Sequence, residues 1–135
     1  MATALDHIKR SLRLIKAIAA GEEPTAAEGE DALVTLNRML HGFPSMGIER
    51  NHTTLSGLTA ELNMPEEELG CVEWMLAMDL APEYEVDPPP RVVEMAESSK
   101  RYLQGVYVRV DDVAVDSGLL NMPSQGPSNW NINNG

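Results

Sequence analysis

The chain has 135 residues, enough to bury one modest core and not two. Acidic side chains outnumber basic ones 21 to 10, and the net charge of −11 makes the surface as a whole a poor partner for nucleic-acid phosphates. One cysteine, Cys71, excludes an intrachain disulfide and is compatible with a reducing compartment; its apolar surroundings read as those of a structural thiol. Only 4% of the residues are aromatic while Met occurs eight times, a composition suited to packed helices. No apolar run approaches the about eighteen residues of a membrane span. The N-terminus interleaves basic and apolar residues that a signal peptide would segregate.

The first predicted helix covers residues 3–20, with Leu5, Ile8, Leu12, Ile15 and Ala19 on one face, Lys9, Arg13 and Lys16 on another, and Gly21 as its C-cap. Thr25 and Glu28 match a capping box opening a second helix, whose inner stripe is Leu33, Leu36 and Leu40 and whose end is marked by Gly42 and Pro44. The short connection makes these two helices an antiparallel hairpin. Residues 43–63, punctuated by Gly47, Asn51 and Gly57, admit either a short helix or a loop. Pro65 suits the first turn of a third helix, where Glu66, Glu67 and Glu68 complement the helix dipole. From Trp74 to Ala81 only Asp79 is polar, so this helix should be enclosed on nearly all sides until Pro82 ends it. A fourth helix comes after Asp87 and the prolines, with Val92, Ala96, Ser99, Leu103 and Val106 as its apolar face. Beyond Gly105 the period changes to a strand-like alternation of Val106, Val108 and Val110, and the chain closes on "LLNMPSQGPSNWNINNG". The expected architecture is all-α: a four-helix bundle-like adaptor core over residues 1–106, then an extended C-terminal arm and tail over 107–135.

Catalytic constellations are missing. His7, His41 and His52 include no pair at i, i+4, and none lies near Cys71 in sequence, so neither a metal site nor a cofactor site is expected. There is no phosphate-binding glycine loop and no strand-to-helix serine turn. Asp111, Asp112 and Asp116 do not follow the spacing of a calcium loop and read as solvated acids. The expectation is a protein that is not an enzyme.

An alternative is a small DNA-binding regulator. Residues 55–80 have the layout of a helix-turn-helix, with a turn at Asn63–Pro65 and packing through Leu58, Leu62, Leu69 and Val72. Against it, Glu66, Glu67 and Glu68 stand where the recognition helix would approach phosphates.

A different likeness runs through most of the chain. "ALDHIKRSLRLIKAIAAGE", "DALVTLNRML", "LAPEY", the alanine-bearing helix after it and the "NMPSQGPSNWN" tail resemble, in order and spacing, the tail accessory factors of P22-type phages. Residues 43–63 depart from that pattern. The resemblance implies a head-to-tail connector that forms a dodecameric ring under the portal protein at the virion neck, having been made in the bacterial host cytoplasm. Such a ring extends and helps seal the DNA channel, lets packaged DNA pass without specific binding, and presents a platform for a downstream tail or nozzle protein. No membrane is involved.

The residues answer to that picture in two places. A ring joins unlike faces of neighbouring subunits, and Lys9, Arg13 and Lys16 could meet acids such as Glu28 and Asp31 across such a contact. The uncharged tail can be desolvated cheaply against another protein, with Trp130 and Met122 as anchors and Pro123, Gly126 and Asn129 completing the portal-docking set. Many weak tails on one ring would bind tightly together.

Overall fold

Thr3 and Thr25 each open a helix in the same way. Thr3 lies in an extended conformation, its hydroxyl receives the Asp6 amide, and the Asp6 carboxylate takes the Thr3 amide at 2.9 Å. Thr25 and Glu28 repeat this reciprocal box at 3.1 and 2.9 Å, as the T-x-x-E spacing predicts. These boxes start α1 (Ala4–Leu14) and α2 (Ala26–His41) in the computed structural model, which describes residues 2–108. Two further helices complete the set, α3 (Glu66–Leu80) and α4 (Pro90–Val106), with 3-10 turns at Phe43–Met46 and Pro82–Tyr84. The class is all-α. Among the described residues there is no β-strand, only an isolated antiparallel bridge between Thr3 and Glu61.

α1 stops at Leu14, well short of the predicted Ala20. The Ala17 amide reaches back to the Leu12 carbonyl at 2.9 Å and the Lys16 amide to Arg13 at 3.0 Å, the two bonds of a Schellman ending. Lys16 occupies its left-handed position at φ 61°. The turn beyond is held by groups a longer helix would need: Glu22 accepts the Ala19 amide at 2.6 Å, and Arg13 donates to the Glu22 carbonyl at 3.2 Å. Ile15 is buried as expected, but Ala19 is exposed, and Gly21 sits in the later turn at φ 88° rather than capping α1.

α3 packs against each of the other three helices. Its Val72, Leu76, Ala77 and Leu80 are fully buried with Ile8 and Leu12 of α1, Leu36 of α2 and Leu103 of α4. Burying a side chain of this size contributes about 1.5–3 kcal/mol each, so this cluster is the main stabilising element. Trp74 and Met78 remain half-buried and Asp79 is exposed, so α3 is less enclosed than its apolar run suggests. On α4, Val92, Ala96, Ser99 and Leu103 face inward as the spacing predicts, but Val106 is 45% exposed.

Residues 48–64 form a loop, not a helix. The loop gives its hydrogen-bonding groups to the helices it crosses. Its Leu58 and Ala60 carbonyls take the first α1 amides, Leu5 at 3.0 Å and Ala4 at 2.7 Å, which have no partner within their own helix. Asn37 of α2 holds both the amide and the carbonyl of Leu55, at 2.9 and 3.2 Å. Gly29 makes room for this: a β-carbon there would stand 3.1 Å from Leu58 Cδ1.

The strand-like alternation expected from Val106 does not begin there. The helix persists through Val106, and the Tyr107 amide bonds the Leu103 carbonyl at 3.0 Å. Tyr107, an arm residue by pattern, is tied to the core. Its hydroxyl donates to Glu68 and accepts from Arg50 Nη1, and the Arg50 guanidinium lies 5.4 Å from the ring centroid. The rest of the arm and the tail, residues 109–135, lie outside the described residues.

Candidate functional site

The portal-docking set Met122, Pro123, Gly126, Asn129 and Trp130 falls outside the described residues. The ring-contact set falls within them. Lys9 is paired inside its own chain, 3.1 Å from Glu23 and 4.0 Å from Asp6. The Thr3 amide, and to a lesser degree Lys9, holds the Asp6 carboxyl below its ordinary pKa. Arg13 is bonded to the Glu22 carbonyl, and Lys16 stands past the helix end, so the three bases do not form one helical stripe. The Glu28 carboxylate closes the α2 capping box, whereas Asp31 is exposed and has no ion pair among the described residues.

The helix-turn-helix layout loses its first helix, because nothing helical lies between Met46 and Glu66. Leu62 and Leu69 are buried, but residues 55–62 serve as the strap over α1 and α2. The would-be recognition helix is also engaged at its start. Glu68 is 5% exposed and accepts the Tyr107 hydroxyl, so it is not the solvated dipole partner its position suggests. Burial first, and then this bond to a carboxylate, raises the Tyr107 pKa.

A buried polar cluster joins α1 to α3. Glu73 Oε2 lies 2.6 Å from His7 Nδ1, and Arg10 Nε donates to Oε1 at 2.8 Å. His7 is 3% exposed and Glu73 8%, while the Arg10 side chain reaches out to solvent. The Ser11 hydroxyl donates to the His7 and Glu73 carbonyls, both at 3.0 Å. A His–carboxylate pair is the first part of an acid–base device, but the serine hydroxyl is spent on backbone and His7 Nε2 is enclosed without a partner. The arrangement is a clamp between helices. Sequence pattern misses it, because the partners are 66 positions apart.

Cavities open at the surface of the described residues, two of which bear on the site. One, of about 230 Å³, lies under the 48–64 loop and is lined by Arg50, His52, Thr54 and Asn63. Arg50 Nε and His52 Nε2 are enclosed without protein partners, a polarity suited to ordered solvent rather than an apolar ligand. Burial, helped by Arg50 and His41, lowers the His52 pKa to about 4, so its ring is neutral at pH 7. The ring stands edge-on to Phe43, centroids 5.4 Å apart. The other cavity, of about 210 Å³, is a groove walled by Met39, Met46, Met75 and Met78, with Asp79, Glu97 and Lys100 at its rim. No group of three or more His, Cys, Asp or Glu side chains converges as a metal would require among the described residues. The Cys71 thiol is half-buried, and burial raises its pKa, which leaves it a weak nucleophile.

The described surface has four large exposed apolar side chains: Val34 on α2, Tyr102 and Val106 at the end of α4, and Val108 just beyond it. Val34 is legible in the sequence as an apolar residue off the Leu33, Leu36, Leu40 stripe, and Tyr102 as an aromatic off the Val92, Ala96, Ser99, Leu103 stripe. Comparison with protein-family models, with curated proteins and with solved structures returned no match.

Proposed function

We propose that the protein is a phage head-to-tail adaptor. It assembles as a dodecameric ring under the portal, extends and helps seal the DNA channel, and provides a platform for the next tail protein. It is not an enzyme, and DNA passes without specific binding. The division of the chain carries this reading. Residues 4–103 supply an apolar core centred on α3, and α4 then delivers the chain to the surface, where Val108 is 64% exposed. The segment Leu119–Gly135 is uncharged and bears Trp130, a composition that suits docking onto another protein. The resemblance in order and spacing to P22-type tail accessory factors points to the portal as that protein.

The test is electron microscopy of the full chain mixed with a candidate portal. A twelve-fold collar is expected, and Trp130→Ala or deletion of 119–135 should abolish it while circular dichroism retains the helical signal. A portal that stays bare with the full chain overturns the reading. Duplex DNA should show no salt-dependent binding at physiological ionic strength; specific submicromolar binding would return the regulator to consideration.

A further inference from the structure

We infer that the methionine-walled groove is the seat of the chain's own Trp130, taken up before any partner is met. Nothing in this requires the adaptor reading, which adds only that the portal later claims the same side chain.

Four elements shape the groove. Met39 comes from α2, Met46 from the Phe43–Met46 turn, Met75 and Met78 from α3, and Ala96 from α4. An apolar cavity of about 150 Å³ accepts one benzene ring, so a groove of about 210 Å³ has the size for one bicyclic ring. Thioethers are polarisable, adjust their rotamers to a guest and make favourable contacts with an aromatic edge. The rim selects an indole among apolar guests. A buried indole needs an acceptor for its N–H, and its ring face attracts a cation. Asp79 and Glu97 supply carboxylates and Lys100 an ammonium, and none of the three is in an ion pair among the described residues. An aliphatic guest would use neither.

The chain supplies such a guest from close by. Residues 109–135 contain one aromatic side chain, Trp130, and residues 119–135 carry no charge to oppose the rim carboxylates. α4 ends at Val106, six positions past Lys100, which is about 9 Å of helix. Gln104 in its last turn donates to the Met46 carbonyl at 2.6 Å, so the chain leaves the helices beside the groove. Trp130 stands 22 positions after Val108. That length can span up to about 70 Å, several times the distance to be covered. A site on the same chain is met at an effective concentration of order millimolar, which a second copy in dilute solution does not reach. The chain's own tail is therefore the occupant that proximity favours.

The experiment is methyl NMR of the full-length chain carrying ¹³C-methyl methionine, compared with the Trp130→Ala variant. The ring current of the indole should displace the Met46, Met75 and Met78 methyl signals of the parent chain relative to the variant, and leave Met64, which precedes α3, in place. The displacement should be the same after tenfold dilution. Lys100→Glu should lower the occupancy constant read from these signals about two- to fivefold, the range of an exposed cation–π contact. Methionine signals that coincide in the parent and Trp130→Ala chains overturn the inference; a collar that still forms on the portal then leaves the adaptor reading intact. Displacement that fades on dilution places a neighbour's tail in the groove and also overturns it. Displaced signals with no collar on a candidate portal would support the groove and count against the adaptor.

Discussion

The two seams that α3 makes with α4 and with α1 are built from different chemistry. Toward α4 the joint is apolar, with Leu103 and Val92 at 0 and 2% exposed and Ser99 as the buried polar residue. Toward α1 it holds Ile8 and Leu12 but also the His7–Glu73–Arg10 cluster with Ser11. Apolar packing stabilises with little directional demand. A buried ion pair contributes little net stability, because desolvation offsets its attraction, but it penalises any arrangement that parts its members. The α4 seam thus supplies most of the cohesion, and the α1 seam fixes which turn of α1 faces which turn of α3.

Substitutions on each seam test that contrast. Leu103→Ala should cost the most, about 2–5 kcal/mol in denaturant unfolding, because a fully buried side chain is removed from the apolar seam. A loss under about 1 kcal/mol would show α4 to be a dispensable cover. Glu73→Ala should cost about 1–3 kcal/mol by leaving the His7 ring without its acceptor. Replacing both, His7→Leu with Glu73→Leu, should recover most of that loss, since neither buried polar group is left unmatched. Equal losses in the single and double variants would assign the cluster a role in stability rather than in alignment.

Acid should act on the loop through His52. The folded His52 ring stays neutral down to about pH 4, whereas in the unfolded chain it takes a proton from about pH 6.5. The unfolded state therefore binds more protons between those values, and stability falls as pH drops through the window, levelling off below it. His52→Leu should flatten the stability profile between about pH 6.5 and 4. An unchanged slope would move the acid sensitivity elsewhere. The smallest effect is a gain: Lys16→Gly relieves the left-handed backbone at the α1 Schellman ending and should stabilise by roughly 0.5 kcal/mol, after the greater entropy of glycine in the unfolded chain is subtracted. A loss would show that the Lys16 side chain makes a contact of its own.

Lys16 also marks where periodicity ceases to be a guide. The period of Leu5, Ile8, Leu12 and Ile15 continues to Ala19, so pattern extends α1 past its true end. That end is set by Glu22 and Arg13 bonding the next turn, an arrangement with no periodic signature. For the 48–64 strap, pattern admits helix and loop alike; Asn37, the amides of α1 and the space at Gly29 settle it as a loop. Tyr107 alternates with valines and so resembles an arm residue, yet in the fold it packs over Arg50 and bonds Glu68.

Local pattern is enough for the all-α class, the α2 capping box, the buried stripes of α2 and α4 and the distinct composition of the tail, because each rests on groups within a few positions of one another. Folding was needed to bury Glu68 and Glu73, to engage Lys9 and Arg13 at home, and to leave Glu30, Asp31, Arg91 and Arg101 without ion pairs among the described residues. A charged side chain looks the same in a sequence whether solvated or paired; which it becomes depends on what a distant segment brings to within about 3 Å of it.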